Sequence, residues 1–474
     1  MNYLLKNKIF SKKIILFLFF IFISFVVFYP VLDNFFFSDD FSWLARSKYE
    51  LNSFHDIIFL RFAGFWRASI NLYFYLIYHV FGTNPAFYYI LNILLHGVNG
   101  FLVFLLSKKI IKSSKIGFLS AVIFIISHIH YSSILWISAV TSLLNTFFIL
   151  ITLNLFWTYL RKNIFLIYLL GLFSFVFALL TKETSAILLP LLFCVFIYFY
   201  VDKQIKIKVK SFIILLPFVF LEFLYLTIQY LFFRNNLSVY GYNYDITLFG
   251  VKKFLFNFIY SFFGVSNFYI SVLFFIFLFL VLVILIKKNR VYLKTIVFFS
   301  IFVFLTYLPP AFFSLGQGKD WLFAPRYAYL PTVGVSCILA IIVYICYGKI
   351  NNKKYIKRIF VLFLLFLVTV NIYFIRIEIK KYFILSQVSQ DVYLSLVEFD
   401  KQGYLDKNIF IVGDFPFKHN PTYLFDMLRL YFDVPDHKIH FMEADYIPST
   451  VSLHNNFSIN IKWDYETSTF FLLK

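Results

Sequence analysis

The chain has 474 residues, of which 61% are hydrophobic and only 14% charged, with 71 Phe and 35 Tyr and a mean hydropathy of +0.82. Water-soluble domains carry roughly a quarter charged residues, so a soluble enzyme is excluded and the composition points to one large bundle of membrane helices. Set against 23 Asp and Glu, the 43 Lys and Arg give a net charge of +20, which in a membrane protein marks cytoplasmic loops rather than a nucleic-acid partner.

At the N-terminus, Lys6, Lys8, Lys12 and Lys13 precede an apolar run from Ile14 to Tyr29, and no small-x-small cleavage site follows before Pro30. This pattern predicts a retained signal anchor. Apolar runs able to cross roughly 30 Å of hydrocarbon then recur at about residues 85–107, 115–129, 132–160, 163–181, 184–201, 209–233, 268–286, 292–315, 328–348 and 356–376. With the anchor at about 10–32, the prediction is about eleven spans, and hydropathy leaves room for a further one within 251–268. The third run is short and the fourth long, so their shared boundary near His128 and His130 is the least defined.

Basic clusters at Lys108/Lys109/Lys112/Lys115, Arg161/Lys162, Lys203/Lys206/Lys208/Lys210, Lys287/Lys288/Arg290/Lys294 and Lys353/Lys354/Lys357/Arg358 fall in alternate loops. They predict a cytoplasmic N-terminus, with loops 33–84 and 234–267 and the segment from about 377 on the outer face. Cys194, Cys337 and Cys346 lie inside apolar runs without CxxC spacing and read as small core residues. From about 377 the pattern changes to β-rich stretches around Ile409, Ile439 and Phe457, separated by Asn, Pro and Asp. The predicted fold is an all-α polytopic membrane protein, with a transmembrane domain over 1–376 and a small extracytoplasmic α/β domain over 377–474.

Candidate chemistry begins at Phe37-Ser38-Asp39-Asp40-Phe41, where two adjacent carboxylates follow the first span. Such a pair perturbs its own ionisation, and a poised carboxylate accepts a proton from an attacking hydroxyl or holds a divalent cation. The plainer reading makes Asp39 a helix cap and Asp40 a solvated residue. Other scarce polar residues map to the same side: His128 and His130, Lys182 and Glu183, and Arg326 with Tyr327 and Tyr329. Ionisable groups near hydrocarbon are costly unless paired or functional, so their gathering predicts one polar cavity. Individually they have bland readings: Lys182-Glu183 as an interfacial ion pair, the two histidines as interfacial residues, His96 as an interhelical hydrogen-bonder. The His128-x-His130 spacing is too short for a helical metal pair, so no zinc site is expected. The stretch holding Arg61, Trp66, Arg67, Asn71, Tyr73, Tyr75, Tyr78 and His79 is predicted to lie in the interface, with Arg67 and Arg46 as forks for a lipid phosphate or as snorkelling side chains.

Several ordered motifs resemble a known family. They are Trp66-Arg67-Ala68-Ser69-Ile70-Asn71-Leu72-Tyr73, then Phe81-Gly82-Thr83-Asn84-Pro85-Ala86-Phe87-Tyr88-Tyr89, then Asn92-Ile93-Leu94-Leu95-His96-Gly97-Val98-Asn99. Downstream come His128-Ile129-His130 with Trp136-Ile137-Ser138, Leu180-Thr181-Lys182-Glu183-Thr184, and Arg326-Tyr327-Ala328-Tyr329-Leu330-Pro331. Over about the first 335 residues the chain resembles GT-C glycosyltransferases, in particular the transmembrane and tetratricopeptide-repeat O-mannosyltransferases and their bacterial relatives. The repeats themselves are missing, and Ala68, Ile129 and Ser132 depart from the family pattern.

The resemblance implies an inverting glycosyltransferase of the outer membrane face, taking a polyprenyl-phosphate sugar as donor and a protein, glycan or lipid hydroxyl as acceptor. By the same resemblance, Asp39 or Asp40 is the catalytic carboxylate, with Asp39 preferred as the first acid of the pair. Arg326, Arg67 and Lys182 are the candidates for the donor phosphate, in that order, with Glu183, His128, His130 and Tyr327 as further site candidates. No cofactor is required by this reading, although a divalent cation is compatible with it. The competing reading is a flippase or transporter of lipid-linked glycans, which predicts ionisable groups near the bilayer midplane and paired halves. An envelope polymerase or ligase shares the donor class and differs in its acceptor. The expected location is a bacterial inner membrane.

Overall fold

The computed structural model describes residues 2–62, 65–203, 208–233, 242–244, 273, 276, 290–311, 313–315, 325–350, 354–417, 420–442 and 458–472. In chain order the helices are α1 (Asn2–Phe28), α2 (Asp40–Tyr49), α3 (Phe54–Phe59), α4 (Ala68–Phe81), α5 (Pro85–Ile111), α6 (Ser114–Ile125), α7 (Tyr131–Ile134), α8 (Val140–Lys162), α9 (Phe165–Leu179), α10 (Leu188–Lys203) and α11 (Leu216–Phe233). They continue with α12 (Leu293–Ala311), α13 (Thr332–Lys349), α14 (Lys354–Lys401) and α15 (Thr422–Phe432). Strands are β1 (Tyr242–Tyr244), β2 (Phe313–Leu315), β3 (Asn408–Val412), β4 (Ile439–Met442), β5 (Ser458–Asp464) and β6 (Thr469–Leu472).

Among the described residues, seven helical stretches are long and apolar enough to cross a membrane, and an eighth is a pair, Ser114–Ile125 and His128–Ile134, bent by 49°. The protein is therefore a helical, multi-pass membrane protein. Exposed side chains such as Phe22, Phe173, Phe223 and Phe366 fit lipid rather than water. The eleven expected spans do not all appear as full-length helices. The runs at 163–181 and 292–315 form the shorter apolar helices Phe165–Leu179 and Leu293–Pro309. The run at 115–129 breaks before the histidines, and the run at 268–286 and the additional one within 251–268 lie outside the described residues apart from 273 and 276.

Local chemistry sets the ends. Asn84 caps α5 by accepting from the Ala86 N–H at 3.2 Å, with Pro85 in the first turn where a missing N–H costs nothing. Ser113 caps α6 through the Ile116 N–H at 3.3 Å. Helices in lipid gain little from apolar burial against each other and depend on close packing. Gly97 supplies it where α5 meets α1: a Cβ there would stand 2.7 Å from the Ile21 Cα.

A polar knot ties four segments together. His96 Nε2 bonds to the Ile125 carbonyl at 3.0 Å, its Nδ1 meets the Tyr329 hydroxyl at 2.7 Å, and Asn99 Nδ2 donates to Leu143 O at 3.0 Å and to the Tyr329 hydroxyl at 3.2 Å. Tyr329 is thereby fixed, and with it the turn carrying Arg326 and Tyr327.

Near the C-terminus a four-stranded sheet has the order β4-β3-β5-β6, with β3 parallel to β4 and β5 and β6 antiparallel to β5. The β-rich stretches expected at Ile409, Ile439 and Phe457 correspond to β3, β4 and β5. Helix α14 has 48 residues, about 72 Å at 1.5 Å per residue, more than twice the hydrocarbon thickness. It passes the expected domain boundary at 376/377 without a break, and its second half buries Val392, Leu396 and Phe399 under the sheet. The Phe470 N–H donates to Ser395 Oγ at 2.7 Å, joining β6 to that helix.

Candidate functional site

Ser38 adopts a left-handed backbone, φ 59°, turning the chain out of the first span into α2. Asp39 consequently occupies the position before the helix and Asp40 its first residue. Asp39 makes no side-chain cap bond, so the plain capping reading fails for it. Asp40 is not solvated either. It is fully buried: Oδ1 accepts from the Ser138 N–H at 2.8 Å and the Ser138 hydroxyl at 2.5 Å, and Oδ2 accepts from the Phe37 N–H at 3.2 Å. Asp40 therefore ties the first loop to the turn before α8.

Asp39 differs in what it lacks. Its Oδ1 is enclosed without a hydrogen-bond partner, and so is Nε1 of Trp136, the indole that faces it. The Trp136 indole and the Ser138 hydroxyl nevertheless stand close enough to the Asp39 carboxyl to favour its ionised form. Burial pushes the Asp39 carboxyl up to about 6 against the pull of the nearby Arg326 charge. Burial together with the Asp39 charge pushes Asp40 higher, to about 8. The two carboxyls titrate as a pair holding about one proton near neutral pH.

Arg326 acts on Asp39 from another segment, and Lys182 joins Arg326 in a cleft beside it. Arg326, on the turn Pro325–Ala328, lies over the Trp136 ring at 4.9 Å and the Tyr327 ring at 5.3 Å. Lys182, 5% exposed between α9 and α10, donates to Ser142 Oγ at 3.2 Å and stands 4.7 Å from the Tyr327 ring centre. Burial lowers its pKa to about 7. Arg326, Lys182 and Tyr327, with Ser142, Asn145 and Thr184, line one narrow polar cleft. Tyr327 serves both cations as an aromatic floor.

Glu183 is not the partner of Lys182. Its carboxylate takes the guanidinium of Arg67 in a forked pair, with contacts of 2.9, 3.1 and 3.2 Å. Phe65 backs that guanidinium at 4.2 Å. Of the three expected phosphate ligands, Arg67 already has a bidentate carboxylate partner, whereas Arg326 and Lys182 share the cleft.

The two histidines point to different places. His128 Nδ1 lies 3.0 Å from Asn371 Oδ1 on α14. His130 is buried, with Nε2 2.6 Å from Thr332 Oγ1 and its ring against Phe124 and Tyr329 at 4.6 Å. These contacts brace helices, and neither histidine is among the residues lining the polar cleft. Arg46, one of the two expected lipid-phosphate forks, is buried at 4% exposure and donates to the Arg61 carbonyl. Among the described residues no three His, Cys, Asp or Glu side chains are gathered where they could hold a metal ion.

The site has a wall that sequence reasoning missed. Helix α15 packs on α2 through Ser42 with Asp426, Lys48 with Asp433 at 2.7 Å, and Glu50 with Arg429 at 3.3 Å. The Tyr423 hydroxyl reaches Ser38, within the field of both aspartates. These partners are some 380 residues apart, so no local pattern announces them. Trp136 and Ser138 stood in a recognised motif, but their roles beside Asp39 and Asp40 appear only in three dimensions. No protein-family model matches this chain, and no curated protein matches it either.

Proposed function

We propose that the protein is an inverting glycosyltransferase that moves a sugar from a polyprenyl phosphate to an acceptor hydroxyl at the outer face of the membrane. The observation that carries the reading is the buried Asp39 carboxyl, its Oδ1 without a close hydrogen bond and its charge drawn by Arg326, which shares a polar cleft with Lys182. A base, a hydrogen-bond donor and two cations at one end of a lipid-embedded bundle match what such a transfer requires.

The acceptor oxygen forms a bond to the anomeric carbon from the face opposite the phosphate, and its proton passes to Asp39. The bond from the anomeric carbon to the phosphate oxygen breaks with inversion, and polyprenyl phosphate leaves with that electron pair. Arg326 and Lys182 meet the charge that develops on it. Asp40 keeps the loop in place through Ser138, and Arg67 with Glu183 holds the entry of α4 against the turn that precedes α10. The expected orientation follows from the basic loops, with the N-terminus cytoplasmic, the C-terminal domain outside and a bacterial inner membrane as the setting.

The test is release of free polyprenyl phosphate from a panel of polyprenyl-phosphate sugars, read by mass spectrometry with purified protein and an envelope extract as acceptor. Loss of release in Asp39→Asn, with the protein folded, supports the assignment. Release unchanged in both Asp39→Asn and Asp40→Asn removes the catalytic role. Donor binding without release from any donor favours a transporter of lipid-linked glycans.

A further inference from the structure

The C-terminal domain carries a second concavity, away from the polar cleft. It is a cleft of about 430 Å³ between α14, the loop after β3 and the β5–β6 hairpin, within the range of small-ligand pockets, about 300–1,000 Å³. Its walls include Asp391, Asp414, Phe415, Trp463, Tyr465 and Ser468. Trp463 and Tyr465 stand nearly perpendicular, at 82°, with ring centres 6.5 Å apart. Trp463 is built into the sheet at 4% exposure, whereas Tyr465 is 62% exposed and offers an open ring face.

In a chain with a net charge of +20, this cleft has two carboxylates and no Lys or Arg among its described lining residues. On these described residues the lining favours a neutral occupant over an anion. Aromatic faces set beside carboxylates suit a molecule with apolar C–H faces and many hydroxyl donors, since a carboxylate is an acceptor only. A second, shallower groove continues from the first, sharing Asp391 and Ser468 with it, so the surface accommodates an elongated ligand.

The cleft also communicates with the aspartates. The loop that supplies Asp414 and Phe415 also carries Phe417, whose ring lies 6.5 Å from that of Phe41, the neighbour of Asp40. On α14, Tyr382 meets Phe37 at 5.6 Å, and Val388, which lines the cleft, follows six residues later, about 9 Å along the helix. A chain of a few sugar units spans such a distance.

We propose that this cleft binds a neutral oligosaccharide, and that it is the acceptor chain presented to Asp39. The second half of that statement rests on the transferase reading above; the first does not. The experiment titrates the full-length protein in detergent with soluble tri- to pentasaccharides of glucose, galactose, mannose and N-acetylglucosamine, by calorimetry and saturation-transfer NMR. Sialylated saccharides and short peptides serve as comparators.

At least one neutral saccharide is expected to bind. Tyr465→Ala and Asp391→Asn should each weaken it by about tenfold or more with unchanged thermal unfolding, while Tyr465→Phe retains the affinity. No binding by any neutral member, binding indifferent to both cleft variants, or preference for the acidic saccharides or the peptides would overturn the proposal. Cleft-dependent binding without any sugar transfer leaves the saccharide site standing and removes the transferase reading. Transfer whose acceptor KM ignores the cleft variants overturns the acceptor role and leaves the transferase reading standing.

Discussion

Adjacent carboxylates with opposite tasks give the sharpest test of this structure. Asp40→Asn keeps one oxygen for Ser138 but replaces the other by an amide that faces the Phe37 N–H, previously an acceptor contact of 3.2 Å. Flipping the amide merely moves the clash to the Ser138 N–H, now bonded at 2.8 Å. Either way one buried donor meets another, at a cost of about 1–3 kcal/mol. Asp39→Asn loses no bond at Oδ1, which has none, and removes a negative charge from beside Asp40. Its stability should match or slightly exceed the wild type, while transfer falls by about 10²–10⁴, the usual share of a general base. Thermal unfolding in detergent, measured beside polyprenyl phosphate release, separates the two. Wild-type release from Asp39→Asn, or destabilisation of Asp39→Asn as large as that of Asp40→Asn, would refute the division of labour.

Three other outcomes follow from the same geometry. Asp39 must be ionised to accept a proton and Lys182 protonated to meet the phosphate, so kcat/KM should rise with pH through about 6 and fall through about 7; replacing Arg326 by Met removes the cation that favours ionised Asp39 and should move the acidic limb to higher pH. Lys182→Met should raise the donor KM by roughly tenfold or more while leaving the fold intact, because among the described residues its side chain makes a single hydrogen bond, a 3.2 Å contact to Ser142. Arg67→Ala strands Glu183, and with side chains 15% and 24% exposed the loss should be about 2–4 kcal/mol, toward the lower end of what breaking a buried pair costs; a thermal-shift assay should show Arg67→Ala with Glu183→Ala less destabilised than the sum of the singles.

Much of the architecture was legible because it depends on local or compositional physics. Apolar runs such as 85–107 and 184–201 became spans because lipid allows no backbone group to go unpaired, and helices satisfy this within one segment. Alternation near Ile409 and Phe457 became strands of one sheet. The break at His128 was harder to read, since a bent pair and a continuous span share the same hydropathy. Length likewise misled at 163–181, where Leu180, Thr181 and Lys182 leave the helix to form the connection that holds Lys182 in the cleft.

In the candidate site, residue types were legible but partners were not. Scarce ionisable residues announced Asp39, Asp40, Lys182, Glu183, Arg67 and Arg326, because a charge near hydrocarbon must be paired or used. Adjacency made Lys182 and Glu183 look like a pair, yet the carboxylate turned to Arg67, 116 residues earlier, whose planar fork binds both of its oxygens.

Sequence alone determined that this chain lives in a membrane, which segments are apolar, and which few polar residues need an explanation. Only the tertiary structure decided that Asp40 is held by Ser138 and Phe37 while Asp39 Oδ1 has no close partner, that Lys182 faces a cleft, and that α15 closes on α2. The reason is physical: apolarity and helix formation are properties of a segment, whereas the satisfaction of a buried polar atom depends on which distant donor the fold brings within hydrogen-bond reach.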